Sequence, residues 1–135
     1  MITREDLESF LLRIGPECEE VEEGMWVLRG PENVAPVVVH YSPPVVLLRL
    51  KVLDLGPARD DARLAGFYRR LLELNANDIV HGSYGVEGSE VILSDALDLE
   101  TLGFETLRSS YESLVLAASS HLPGLVELIP VAHEG

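Results

Sequence analysis

The stretch LLELNANDIVHGSYGVEGSEVILSDALDL, residues 71–99, decides the fold of this chain. Its leucines belong to the end of an amphipathic helix, which the polar run Asn75–Asp78 closes. Two predicted strands follow: IVHGSYGV, which is rich in glycine and small residues, and SEVILSDAL. Glu87-Gly88 between them is typical of a tight hairpin turn. The last residues lead into another helix. This order predicts a sheet with helices packed against it, and it identifies an architecture rather than a reaction.

The first half of the chain supplies one more helix and three more strands. REDLESFLLRI has apolar residues at helical spacing and is followed by Gly15, so it predicts the first helix. MWVLRG predicts a short strand. Val37–Tyr41 and Val45–Leu55 predict two longer strands, and the two prolines between them predict a turn.

Two further helices complete the pattern. ARLAGFYRRLLELN predicts a second helix that begins at Asp60 or Asp61. A third begins after Asp98 or Thr101, and Pro123-Gly124 breaks it. The order is therefore α-β-β-β-α-β-β-α. Because the strands are grouped rather than alternating with helices, we expect an α+β domain with an antiparallel sheet, formed as a single unit by residues 1–135.

Composition excludes several classes of partner. The net charge is −13, from 23 acidic and 10 basic residues, and such a surface repels nucleic acid and anionic membranes. No apolar run approaches the roughly 20 residues that span a bilayer, and the charged N-terminus does not resemble a secretory signal. The one cysteine, Cys18, has no partner for an internal disulfide, which fits a reducing compartment. We therefore expect a cytoplasmic protein.

No catalytic or metal-binding pattern stands out. Ser83 lies within GSYG, which lacks the G-x-S-x-G spacing of a nucleophile elbow. The histidines and Cys18 have no metal-ligand spacing, so we expect neither a metal nor another cofactor. Five glutamates within ECEEVEEG, residues 17–24, suit either a weak calcium site or a solvated acidic edge, and the absence of an EF-hand ligand order favours the edge. We expect Trp26 to lie in the core rather than to stack on a ligand.

Three segments carry a resemblance to a known family. FYRRLLELNAN, HGSYGVEGSEVILSDALDLE and SSHLPGLVEL, all from the second half of the chain, resemble YbjN-type domains. Those domains are similar to the type III secretion chaperones of the Tir-chaperone class, and the likeness in element order extends over the whole chain. The resemblance implies a small acidic homodimer that binds a peptide segment of a partner protein without covalent chemistry or ATP. It also implies a regulatory role, and it carries no catalytic residue.

Two surfaces are candidates for these contacts. The candidate peptide-binding residues share one face of the longest predicted strand, where the two cations would pair with an acidic residue of the partner: Leu47, Arg49, Lys51 and Leu53. The candidate dimer interface is the wide apolar stripe of the second helix: Leu64, Phe67, Tyr68, Leu71 and Leu72. The alternative is a small-ligand binding protein or an enzyme that uses the glycine-rich hairpin as part of a pocket.

Overall fold

The computed structural model describes residues 1–15, 17–56 and 60–130. The helices are α1 (Arg4–Ile14), α2 (Ala65–Asn77) and α3 (Phe104–Glu127). The strands are β1 (Glu17–Glu22), β2 (Met25–Arg29), β3 (Val37–Ser42), β4 (Val45–Asp54), β5 (Ser83–Glu87) and β6 (Glu90–Asp98).

The strands form one six-stranded sheet in the order β1-β2-β3-β4-β6-β5, and every pairing in it is antiparallel. The predicted α+β class is confirmed, and every predicted helix and strand is found, although the predicted strand IVHGSYGV begins only at Ser83. The structure also contains one strand that the sequence pattern did not indicate. Strand β4 lies inside the sheet, with β3 on one side and β6 on the other. The β5–β6 hairpin therefore joins the sheet through β6, and β5 forms its last strand.

The additional strand is the acidic segment β1, which was expected only as a solvated edge. Its glutamates are exposed, as predicted, and Cys18 alone packs on the core. Backbone pairing with β2 defines the strand, and a bulge between Glu20 and Glu22 interrupts its alternation. Exposed charges on an edge strand discourage pairing with other chains. Because almost nothing in this strand is buried, its sequence lacks the apolar alternation by which a strand is recognised.

The core lies between one face of the sheet and the three helices. Its largest fully buried side chains come from the helices, the strands and the turn before α3: Trp26, Phe67, Leu7, Leu11, Leu28, Leu48, Leu50, Leu74, Leu93, Leu99, Leu107 and Leu114. The prediction for Trp26 is confirmed. Its indole Nε1 donates to Glu8 Oε2 of α1 at 3.0 Å, so the buried ring keeps a partner for its polar atom.

The helix boundaries follow the capping signals only in part. At α1, Thr3 and Asp6 form a reciprocal capping box. Helix α2 begins at Ala65, after a turn, rather than at Asp60 or Asp61. Neither Asp98 nor Thr101 caps α3, because Gly103 is the cap residue.

The predicted break of α3 at Pro123-Gly124 is wrong, because the helix continues to Glu127. Proline has no N–H and removes one helical hydrogen bond. Beyond it, Leu125 is buried in the core, and this burial compensates for the lost bond.

The β5–β6 turn lies one residue later than predicted. Glu87 pairs with Glu90, so the two loop residues are Gly88 and Ser89 rather than Glu87 and Gly88. Gly88 has a φ of +60°, which confirms the expectation that the turn needs glycine in the left-handed region.

Candidate functional site

The sheet has an outer face, turned away from the helices. The register places Val38, Arg49 and Ser94 in one row of this face, and His40, Leu47 and Ala96 in the next. All six side chains are half-buried or exposed, whereas the core includes strand neighbours such as Val39, Leu48 and Leu93. Within the described part of the chain, the groove on this face is lined by residues of β4, β5 and β6 and by the residue before β5, and by no helix residue.

That outer-face groove has a volume of about 560 Å³ and combines apolar and polar walls. Its lining residues are Leu47, Arg49, Gly82, Ser83, Ile92, Ser94, Asp95 and Ala96. Ser83 lies in an extended strand rather than at a strand-to-helix turn, so the GSYG segment is no nucleophile elbow. The groove offers an apolar floor with hydroxyl groups beside it, which suits non-covalent binding.

Strand β4 brings together only part of the predicted peptide-binding set. Leu47 and Arg49 both line the outer-face groove, and Lys51 lies on the same face beyond it, opposite Ile92. The placement of Leu53 on this face is wrong. A β-bulge between Lys51 and Leu53 changes the alternation, so Leu53 pairs with the buried Val91 and packs against the core.

The two cations of the predicted peptide-binding set already have carboxylate partners within the chain. Arg49 contacts Glu87 of β5 at 2.7 Å. Lys51 lies 3.5 Å from Asp54 and 3.9 Å from Glu90. A partner's acidic residue would therefore have to compete with these carboxylates, and the apolar side chains are the better basis for binding.

A second groove, the α2–β5 groove, follows the free edge of the sheet. It has a volume of about 480 Å³ and mostly apolar walls, formed by Asp61, Tyr68, Leu71, Leu72, Asn75, Tyr84, Gly85 and Val86. Strand β5 pairs with β6 on one side, and no described strand pairs with its other side. Leu72 is 68% exposed and Val86 40% exposed, so apolar surface lies next to this edge, where the Asn75 side chain bonds the backbone of Tyr84.

The predicted dimer stripe is divided between this groove and the core. Leu64, Phe67 and Leu71 are buried within the chain, because α2 uses them to pack on its own sheet. They keep at most 4% of their surface accessible for a second chain. Tyr68 and Leu72 alone keep accessible surface from that set.

Tyr84 connects the α2–β5 groove to the rest of the molecule. The Asn75 side chain accepts from the Tyr84 backbone N–H at 2.7 Å and donates to its carbonyl at 3.2 Å. The phenol lies 2.8 Å from His121 Nδ1 of α3, and burial raises the pKa of Tyr84 above its ordinary value. These contacts hold β5 against α2 and α3 and fix one wall of the groove.

The outer-face groove also contains residues that the sequence did not single out, above all Ile92 and Ala96 of β6. Strand alternation does indicate that Ile92 lies on the face opposite to Val91 and Leu93. The sequence gives no signal that β6 lies beside β4, because that pairing joins distant parts of the chain.

In residues 1–15, 17–56 and 60–130, no group of three histidine, cysteine or acidic side chains is placed to hold a metal ion. None of the helices there is both long enough and apolar enough to cross a membrane.

Comparison with known proteins places this fold in a family. The model of the family CesT_Tir_1 matches residues 2–130, so the chain belongs to this family of type III secretion chaperones. None of the curated proteins matches the sequence.

Solved structures share the fold at low sequence identity. The heterodimeric complex ExoU-SpcU from the type III secretion system of Pseudomonas aeruginosa contains a chain that is similar with a TM-score of 0.66 and 14% identity, over 87% of this chain and 95% of that one. YbjN from E. coli gives a TM-score of 0.63 and 14% identity, over 91% and 93%. The Yersinia pestis type III secretion chaperone SycH, in complex with a stable fragment of YscM2, gives 0.60 and 17%, over 87% and 98%.

Proposed function

We propose that this protein is a non-enzymatic homodimer that binds an extended segment of a partner protein on its outer face. The observation that carries the proposal is the outer-face groove, where Leu47, Ile92 and Ala96 form an open apolar floor. Membership of the chaperone family supports it. So does SycH, a similar chain that is bound to a fragment of another protein.

The groove suits a polypeptide in extended conformation. Successive side chains of such a segment point in opposite directions, so alternate residues contact the floor while the others face solvent. Ser83 and Ser94 supply hydroxyl groups along the walls. Because Arg49 and Lys51 are already paired, we expect mostly apolar binding, which 500 mM salt weakens only a few-fold.

Methyl-resolved NMR tests the location of this surface. A peptide selected from a displayed library of random sequences against the intact protein is titrated into methyl-labelled chain. We expect the largest shifts at Leu47, Ile92 and Ala96, and small shifts at Leu12, an exposed leucine of α1. Shifts concentrated on the helices would place the site elsewhere and overturn the proposal.

The interface of the proposed homodimer is the α2–β5 groove. The half-buried Tyr68 and the exposed Leu72 and Val86 form an apolar strip beside β5, the last strand of the sheet. A two-fold axis through such a strip buries the same apolar residues of both copies.

Sedimentation tests the dimer independently of peptide binding. We expect a mass of about 30 kDa at micromolar concentration, twice the 14.8 kDa chain mass. Leu72→Glu should give a folded monomer, whereas Leu12→Glu, the same change at an exposed leucine of α1, should leave the dimer intact. A monomeric wild-type protein would refute the homodimer.

A small-ligand protein is the second candidate. One observation favours it: the α2–β5 groove, with Gly85 in its wall, is largely apolar and falls within the roughly 300–1,000 Å³ of ligand pockets. A small molecule that binds there and competes with dimer formation would support this candidate. Turnover of such a molecule would contradict the non-enzymatic proposal.

We also propose a cytoplasmic location. Cys18, which the sequence leaves without a disulfide partner, is a free thiol in the structure and packs partly against the core. A reducing compartment keeps such a thiol reduced.

A further inference from the structure

A third cavity lies on the helical side of the molecule, between α3 and the segment that joins α2 to β5. Its volume is about 260 Å³, and its lining residues are Asp78, Ile79, Val80, Ser113, Leu116, Ala117, Ser120 and His121. None of these residues lines the outer-face groove or the α2–β5 groove. Binding here is therefore separate from the peptide binding proposed above.

One side of this cavity is apolar and open to solvent. Val80 is 83% exposed and Leu116 is 67% exposed, and both face the same cavity. Ile79 and Ala117, which are half-buried, continue the wall toward the core. Contact between these side chains and an aliphatic group would remove exposed apolar surface from water.

The other end of the cavity holds a carboxylate beside a histidine. The Asp78 carboxylate lies 3.3 Å from His121 Nε2, and 53% of the Asp78 side chain remains exposed. The opposite ring nitrogen of His121 is occupied by the Tyr84 hydroxyl. Among the described residues no lysine or arginine lines the cavity, and the basic side chain beside the carboxylate is His121.

The size of the cavity restricts what it holds. Ligand pockets usually measure roughly 300–1,000 Å³, and 260 Å³ lies below that range. One side chain of a polypeptide is a better match than a free metabolite. Lysine and arginine combine an apolar stem with a cationic head, and they bury the stem while the head stays in a polar setting.

We propose that this cavity receives one basic side chain, lysine or arginine, of a bound partner polypeptide. The stem lies along Val80, Leu116 and Ala117, and the cationic head approaches Asp78. The net charge of −13 attracts a basic segment to the molecule as a whole, and the cavity fixes where one of its cations is held.

The test uses the intact methyl-labelled protein in 50 mM salt, with N-acetyl-arginine amide as the probe. N-acetyl-norleucine amide has a comparable aliphatic stem without charge, and N-acetyl-glutamate amide reverses the charge. We expect saturable shifts of the Val80, Leu116 and Ala117 methyls with the arginine probe, and weaker binding of the other two. Equal binding of the norleucine probe, or arginine shifts confined to other surfaces, would overturn the proposal.

Two matched variants separate the cavity from overall charge. Asp78→Asn and Glu127→Gln each remove one exposed carboxylate, but only the first lies in the cavity. We expect Asp78→Asn to weaken the arginine probe about two- to five-fold, as for a partly exposed ion pair, and Glu127→Gln to leave it unchanged. Leu116→Ser, at an exposed position, should also weaken it. Equal effects of Asp78→Asn and Glu127→Gln would refute a specific site.

Discussion

Gly82→Ala should destabilise the protein far more than alanine at the other glycines of the hairpin. Gly82 has a φ of +83°, in the left-handed region. A Cβ there would lie 2.4 Å from the Ser94 carbonyl oxygen and 3.0 Å from Leu114 Cδ2. Because the first neighbour is the backbone of β6, relief requires the sheet or the preceding loop to move.

The expected cost has two parts. A non-glycine residue in the left-handed region costs about 1–2 kcal/mol. Overpacking against a part of the structure that cannot easily shift adds about 1–3 kcal/mol. The sum, about 2–5 kcal/mol, is a large fraction of the roughly 5–15 kcal/mol total stability of a typical domain, so the loss should be plain in an unfolding curve.

Gly88 and Gly85 provide matched controls. Gly88 has a positive φ of +60° but open space around its Cβ position, so Gly88→Ala should cost only the first part, about 1–2 kcal/mol. Gly85 has neither restriction, so Gly85→Ala should change stability by less than about 1 kcal/mol. Urea unfolding followed by circular dichroism measures all three. Equal costs for Gly82→Ala and Gly88→Ala would show that the close approach to Ser94 is absent.

Three further predictions concern hydrogen bonds that the structure shows. Glu20 accepts from the Gly24 N–H and from Arg4, which lowers its pKa below 4.5. The stability this contributes is present above pH 4.5 and is lost as the pH falls through the lowered pKa, so the urea midpoint should fall as the pH is lowered below 4.5, and should fall less in Glu20→Gln. Thr3→Ala removes the α1 cap and should cost about 1 kcal/mol, measured as a lower urea midpoint; an unchanged midpoint would contradict the capping box. Tyr84→Phe removes the bond to His121 and should cost about 0.5–1.5 kcal/mol by the same assay, with no loss if the bond is absent in solution.

Local signals in the sequence predicted much of this fold. The apolar spacing of α1, the prolines between β3 and β4, and Gly88 in the last hairpin each act over a few residues, and the structure confirms each of them. The resemblance to the chaperone family is also confirmed.

The features that sequence did not predict depend on distant contacts. Strand β1 exists because its backbone pairs with β2, while its side chains lack the apolar pattern of a strand. Helix α3 continues after Pro123 because Leu125, two residues further along the chain, is buried. The bulge before Leu53, which removes that residue from the outer face, has no signature in an uninterrupted run of apolar and basic residues.

For the candidate surfaces too, local signals were predictable and contacts between distant segments were not. Leu47 and Arg49 were recognisable from strand alternation, but their neighbours in β6 follow from a pairing between distant segments. The stripe of α2 was recognisable as apolar. Which of its residues are buried depends on how far the sheet extends beneath the helix. The spacing of apolar residues along one helix does not indicate that extent.

The central claim is that the outer face binds an extended polypeptide through apolar contacts. Its most direct test is the affinity of a library-selected peptide, measured by calorimetry. The peptide is titrated into wild type, into the Leu47→Ser/Ile92→Ser double variant and into Leu12→Ser, which serves as the exposed control. We predict at least a ten-fold loss for the double variant, since each buried aliphatic side chain contributes about 1.5–3 kcal/mol, with native circular dichroism and no change for Leu12→Ser. Equal affinity of the double variant and wild type would contradict the account.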